Sequence, residues 1–143
     1  MFLKKIYLIF FYYLTNPKNK IVKISKKSIN ITLAIVFFIF ALVQLNDPDA
    51  IIWFLIYTIV SFICIYSNFK TIPKKILVAV IILLIGYALF HLSLFIDYLK
   101  TEHKEELFGE MVYQKPYLEG SREFLGLLLA ALGVFYQLKK SKK

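Results

Sequence analysis

Four long apolar runs, separated by polar connections, constrain this chain more than any other feature of its sequence. They cover residues 29–45, 50–66, 76–96 and 118–138, and the first turn of the fourth is polar. A helix that crosses a bilayer needs about 20 mostly apolar residues, and about 17 are tolerated. The runs are continuous rather than alternating, which favours helices over the strands of a membrane barrel. We therefore predict an all-α membrane protein built on a four-helix transmembrane bundle.

The composition excludes several other classes of protein. Apolar residues make up 59% of the 143 residues, and the mean hydropathy is +0.68. These values exclude a soluble globular enzyme, a disordered tail and a disulfide-stapled secreted module. Cys64 is the only cysteine, so no intrachain disulfide forms, and its apolar neighbours predict inert packing inside the second span.

The regions outside the apolar runs have distinct compositions. Residues 1–28 form a basic, aromatic-rich segment that we expect in the cytoplasm and at the headgroup interface. Residues 29–138 form the four-span domain, and residues 139–143 form a basic cytoplasmic tail. Residues 102–112, between the third and fourth spans, fit a short amphipathic helix lying flat on the outer surface. Its expected apolar face holds Leu107, Phe108, Met111 and Val112, and its expected solvated face holds Glu102, Glu106 and Glu110.

The distribution of charge predicts the orientation of the chain. Eighteen Lys and Arg residues against nine Asp and Glu residues give a net charge of +9. Fourteen of the cations lie before the first span, between the second and third, or after the fourth. All nine acids lie on the other side of the predicted bundle. The positive-inside rule then places both termini in the cytoplasm, and we assign the protein to a bacterial cytoplasmic membrane. The lysine clusters predict contact with anionic lipid and no nucleic-acid partner.

The first outer connection, residues 46–49, reads Asn-Asp-Pro-Asp. We expect Asp47 to be the N-cap of the second helix, with Pro48 at its first position. Asp49, in the first turn, then lies at the positive end of the helix dipole. Trp53 follows one turn later and is expected at the membrane interface.

Polar residues within the third and fourth spans are the next candidates. His91 lies five residues inside the outer end of the third span, roughly 8 Å deep at about 1.5 Å per residue, and Tyr87 shares its helix face. Glu119, Arg122 and Glu123 share one face of the fourth span, and Arg122 is expected to pair with both glutamates. Ionisable residues at membrane depth usually face the bundle interior or a wet cavity.

The span ends bring these polar residues to one level, the outer mouth of the bundle. Carboxylates with one His and one Arg can bind a cation or a polar headgroup, or support proton transfer. Fewer than two well-placed imidazoles argue against zinc or copper, so we assign no metal; the cofactor and any catalytic residue remain unknown. The candidate ligand site consists of Gln44, Asn46, Asp47, Asp49, His91, Glu119, Arg122 and Glu123.

Small residues on the fourth span form a second pattern. Gly126, Ala130 and Gly133 follow one another at i, i+4 and i+7, which permits close helix packing. We interpret this stripe as the bundle seam or a dimer face rather than a ligand site.

The run Val-Gln-Leu-Asn-Asp-Pro-Asp at residues 43–49, followed by Trp53 and Tyr57, resembles the transmembrane protein 220 family. The resemblance extends over residues 29–138. Many relatives have Pro where this chain has Ala50, and residues 1–28 lie outside the match.

The start of the fourth span is similar to a second signature of that family, with Arg122-Glu123 followed by Gly126-Leu127. The resemblance implies a small four-span membrane protein of uncharacterised activity. It marks the two polar motifs but implies no reaction.

Three functional classes follow from these features. The sequence favours a non-catalytic accessory or scaffold component, with the lipid bilayer, other membrane subunits or a second copy of the chain as partners. The alternative is a small-ligand or ion binding or transport protein with its site at the outer mouth. The third class is an intramembrane enzyme on a lipid-like substrate, with His91 or Glu119 as its acid or base.

Overall fold

The computed structural model describes residues 25–46, 49–102, 104–109 and 115–141. Short 3₁₀ turns, Gln44–Asn46 and Lys104–Phe108, follow the first and third helices. Residues 1–24, 47–48, 103, 110–114 and 142–143 lie outside the described residues. The four helices are α1 (Lys26–Val43), α2 (Ala50–Tyr66), α3 (Lys74–Lys100) and α4 (Pro116–Lys140).

Each predicted span corresponds to one helix, and three of the helices are longer than the apolar runs. Polar residues extend a helix beyond its apolar stretch because they occupy its terminal turns, where side chains can hydrogen-bond the unpaired backbone groups. The Ser25 hydroxyl, for example, accepts a hydrogen bond of 3.1 Å from the backbone N–H of Ser28 and caps α1. The N-cap of α2 is Asp49, so the expected capping role of Asp47 is wrong.

The helices form an antiparallel bundle of two hairpins. α1 packs on α2, α3 packs on α4, and α2 also contacts α4. Stacking of Phe95 on Phe124, with ring centroids 4.6 Å apart, joins α3 to α4. The Ser61 hydroxyl donates to the Ala34 carbonyl at 2.7 Å and joins α2 to α1.

The small residues of α4 lie inside this bundle. Gly126, Ala130 and Gly133 are all buried. A Cβ atom at Gly126 would overlap the Tyr57 hydroxyl, and one at Gly133 would lie 2.7 Å from the Phe37 ring. The stripe therefore makes room for aromatic rings of α1 and α2 within the same chain.

By length and composition, α1 and α3 are the helices able to cross a membrane among the described residues. The shorter α2 is also apolar, and α4 begins with a charged stretch. Large apolar side chains are exposed on the outward faces of the bundle, which soluble monomers rarely allow over contiguous areas. They include Phe38, Ile51, Leu83, Phe90 and Leu132.

The segment after α3 differs from the expected amphipathic helix. Its described residues include the 3₁₀ turn Lys104–Phe108, in which Leu107 is 5% exposed and Phe108 is 91% exposed. The expectation that these two residues share an apolar face is therefore wrong. The Lys104 ammonium donates to the carbonyls of Leu99 and Thr101 at 2.6 and 2.7 Å, which holds the turn against the end of α3. Glu110, Met111 and Val112 lie outside the described residues.

Candidate functional site

Three carboxylates meet at the end of the bundle where α2 and α4 begin, which we call the acidic end. Oxygen atoms of Asp49, Glu119 and Glu123 all lie within 4.8 Å of one another. Asp49 immediately precedes α2. Glu119 and Glu123 are one turn apart on α4 and share a face, because residues four apart lie one above the other. The sequence predicted no metal site, yet this spacing is one at which carboxylates can share a cation.

His91 brings α3 into this group. Its side chain is buried, and Nδ1 lies 2.9 Å from Oε2 of Glu123. Neither Nδ1 nor Nε2 makes a hydrogen bond of regular geometry among the described residues, so the contact with Glu123 is a close approach. His91 therefore faces the interior of the bundle, as the sequence predicts.

Trp53 is buried inside the bundle, with 1% of its surface exposed, and its expected depth at the membrane interface stays a prediction. A buried indole N–H needs an acceptor. Nε1 donates a hydrogen bond of 2.8 Å to Oδ2 of Asp49, one turn earlier. The other oxygen, Oδ1, is buried and has no hydrogen-bond partner in the described part of the chain.

Aromatic rings surround the imidazole of His91. The centroids of Tyr87, Phe90 and Trp53 lie 5.0, 5.2 and 5.9 Å from it. Tyr87 and Trp53 also stack on each other at 5.5 Å. These rings exclude water from one side of the site and strengthen the electrostatic interactions within it.

The three carboxylates repel one another when all are ionised. Two unit charges about 5 Å apart interact by about 3 kcal/mol at an effective dielectric constant of about 20. The positive ends of the α2 and α4 dipoles offset part of this repulsion. A bound proton or cation would offset more of it.

Arg122 donates hydrogen bonds to backbone carbonyls of the connection between α3 and α4, and its expected pairing with the two glutamates stays a prediction. Nε donates to the Leu107 carbonyl at 2.5 Å, and Nη2 donates to the carbonyls of Gly109 and Glu106 at 2.8 and 3.3 Å. These carbonyls lie in and just after a 3₁₀ turn, where backbone acceptors lack partners within the turn. Arg122 therefore holds the connection between α3 and α4 on the bundle.

Lys115 also secures this connection. Its ammonium donates a hydrogen bond of 2.5 Å to Oε2 of Glu106. This hydrogen bond raises the pKa of Lys115 above its ordinary value. Glu106 thus has a partner within the chain, in contrast to the solvated face expected from the sequence.

Gln44 and Arg122 line an apolar groove of about 720 Å³ together with Phe40 and Leu129. The side chain of Asn46 and all of Asp47 lie outside the described residues. The structure thus brings together four of the eight predicted site residues, namely Asp49, His91, Glu119 and Glu123.

Sequence reasoning missed a second polar group at the opposite end of the bundle. Asn30 and Gln137 are buried and hydrogen-bonded to each other, and Asn30 is also bonded to Asn68. Both Asn30 and Gln137 fall inside predicted spans, near the ends rich in lysine. Their shared depth was the signal that could have identified them.

Comparison with known proteins provides one match. The model of transmembrane family 220, helix, matches residues 36–139, which is most of the chain. The matched residues include the carboxylates and His91. No curated protein and no solved structure matches the chain.

Proposed function

The chain belongs to transmembrane family 220, and on this premise we propose that it binds a divalent cation at the acidic end of its bundle. The observation that carries the proposal is the approach of Asp49, Glu119 and Glu123 to within 4.8 Å. Carboxylate oxygens are the preferred ligands of hard divalent cations such as Ca²⁺, and they also suit Mn²⁺.

The surroundings of the carboxylates support a cation rather than a simple surface cluster. Trp53 fixes Oδ2 of Asp49 and leaves Oδ1 available. His91 lies against one oxygen of Glu123, with Nδ1 2.9 Å from it. Groups that orient a carboxylate in this way are typical of metal sites and raise their affinity.

We propose that all four helices cross a bacterial cytoplasmic membrane, with both termini in the cytoplasm. The lysine distribution supports this orientation. α2, with 17 residues, is about 25 Å long at about 1.5 Å per residue, near the lower limit for a span. The charged first turns of α4 would then lie near the outer interface, and the site would open to the outer side.

Single-cysteine labelling in inverted and right-side-out vesicles tests this topology. In a Cys64→Ala background, Lys70→Cys should react from the cytoplasmic side and Asp97→Cys from the outer side. Labelling of both positions from one side would contradict four spans.

The accessory or scaffold function, which the sequence favoured, has weaker support. Its main argument was the small-residue stripe, but Tyr57 and Phe37 cover Gly126 and Gly133 within the chain. Association with other subunits or a second copy would have to use the exposed apolar faces. An enzymatic role for His91 or Glu119 has no separate observation in its favour.

Thermal unfolding of the purified protein with added Mn²⁺ or Ca²⁺ tests cation binding. A ligand that binds only the folded form stabilises it by about 2.7 kcal/mol at a hundred times its Kd. We expect such stabilisation in the parent protein and its loss in the Glu119→Gln/Glu123→Gln variant. Asp97→Asn, an exposed carboxylate paired with Lys100, is the matched control and should retain it. Equal responses in both variants would contradict the proposal.

Co-purification of a second polypeptide at fixed stoichiometry, without any metal response, would favour the accessory function.

A further inference from the structure

The end of the bundle opposite the carboxylates, which we call the basic end, contains a small polar cavity. It has a volume of about 150 Å³. Lys26 at the start of α1, Lys70 in the connection between α2 and α3, and Lys140 at the end of α4 all line it. Three cations thus reach one cavity from three separate parts of the chain.

No side-chain carboxylate lies in the described segments that form this end. Residues 25–30, 66–75 and 136–141 contain no Asp or Glu, because all nine acids lie between positions 47 and 123. The lysines around the cavity therefore have no acidic side chain in these segments to neutralise them. A counter-ion from outside these segments is the expected complement.

A chain of buried amides ends at the same cavity. Gln137 is 3% exposed and lines it. Its Nε2 donates to Oδ1 of Asn30 at 2.9 Å, and Nδ2 of Asn30 donates to Oδ1 of Asn68 at 2.8 Å. Oε1 of Gln137 and Nδ2 of Asn68, the two ends of this chain, have no hydrogen-bond partner among the described residues.

This chain of amides can run in either direction. Each amide carries a donor nitrogen and an acceptor oxygen of similar shape. If all three side-chain amide groups rotate by about 180° together, Asn68 donates to Asn30, and Asn30 donates to Gln137. In either direction the outer amide atom of Gln137 is closed to water, so the chain braces α1, α4 and the connection after α2 beside the cavity rather than supplying a ligand atom.

We infer that the cavity binds a phosphate group, either on a lipid headgroup or as free phosphate. The three lysines supply charge, and Thr71 lines the cavity with a neutral hydroxyl group. The volume corresponds to about five water molecules at about 30 Å³ each, which leaves room for a phosphate and a few waters. Anionic groups held by several charge-assisted hydrogen bonds bind more tightly than groups held by surface charge.

Binding measurements on the full chain with a matched pair of variants test this inference. Lys140→Gln removes a lysine that lines the cavity, whereas Lys139→Gln removes its neighbour, which does not. One arm titrates inorganic phosphate into protein in neutral detergent. The other compares nanodiscs of phosphatidylcholine with and without phosphatidic acid. We expect Lys140→Gln to weaken binding at least about tenfold and Lys139→Gln to leave it nearly unchanged.

The two arms distinguish the source of the phosphate. Binding in the first arm indicates free phosphate, and binding in the second arm alone indicates a lipid headgroup. Either result supports the inference if it depends on Lys140. Equal weakening by both variants, or no saturable binding in either arm, would overturn it.

Side-chain amide NMR provides a second readout that does not rely on a variant. Saturation with inorganic phosphate or with phosphatidic acid, whichever of them binds, should shift the side-chain amide resonances of Gln137 and Asn30. Saturable binding without a shift at Gln137, which lines the cavity, would place the phosphate elsewhere and overturn the inference.

Discussion

Nδ1 of His91 lies 2.9 Å from Oε2 of Glu123, and this contact joins α3 to α4 beside the carboxylate cluster. A substitution of His91 should therefore affect both the packing of α3 on α4 and the carboxylate cluster. We expect His91→Leu to lower cation affinity by about 10- to 100-fold, as loss of a group that orients a metal ligand does. His91→Asn, which keeps a nitrogen near the position of Nδ1, should retain more affinity. Mn²⁺ titration followed by electron paramagnetic resonance measures both, and equal affinities in the two variants would show that the contact does not orient Glu123.

Gly126 and Gly86 form a matched pair for testing the seam. Gly126→Ala places a methyl group against the Tyr57 hydroxyl, whereas a methyl group at Gly86 meets nothing within 4 Å. Overpacking of this kind costs about 1–3 kcal/mol. We expect Gly126→Ala to destabilise the fold by that amount and Gly86→Ala to change it by less than about 1 kcal/mol. Reversible unfolding in mixed micelles measures both, and a neutral Gly126→Ala would contradict the packing of Tyr57 on α4.

The buried amides at the basic end should behave non-additively. Asn30→Leu leaves polar groups of both Gln137 and Asn68 without partners, which costs about 1–3 kcal/mol for each buried group. Adding Gln137→Leu removes one of the orphaned groups. The double variant should therefore lose less stability than the sum of the two single variants. A strictly additive double variant in the same unfolding assay would contradict the chain of hydrogen bonds.

Arg122 should control the connection between α3 and α4 rather than the site. Arg122→Ala removes the donors to the carbonyls of Leu107 and Gly109. We expect faster proteolysis of this connection and little change in cation affinity. Lys100→Ala is the control, because its exposed ion pair with Asp97 is worth only about 0–1 kcal/mol. Loss of cation affinity in Arg122→Ala without faster proteolysis would place Arg122 in the site instead.

Apolar runs were sufficient to predict the four helices and their order. They could not predict their ends, because Lys26, Lys100 and Lys140 extend the helices as polar terminal residues. They also could not predict the conformation of the segment after α3. The spacing of Leu107 and Phe108 fits an α-helical face, but Lys104 ties the segment to α3 as a 3₁₀ turn.

The candidate site was predictable in part. The sequence places His91, Glu119 and Glu123 at one depth, and the structure brings them together with Asp49. Arg122, one residue from Glu123 along the chain, donates to loop carbonyls that the sequence did not predict as partners. Side-chain partners of this kind depend on backbone acceptors that fold into reach, and a sequence pattern does not record them.

Crystals of the protein grown with Mn²⁺ test the central proposal most directly. Data collected at the manganese absorption edge should give an anomalous difference peak among the oxygens of Asp49, Glu119 and Glu123. The peak should disappear in the Glu119→Gln/Glu123→Gln variant grown under the same conditions. An empty cluster, with the anomalous density elsewhere or absent, would contradict cation binding at the acidic end.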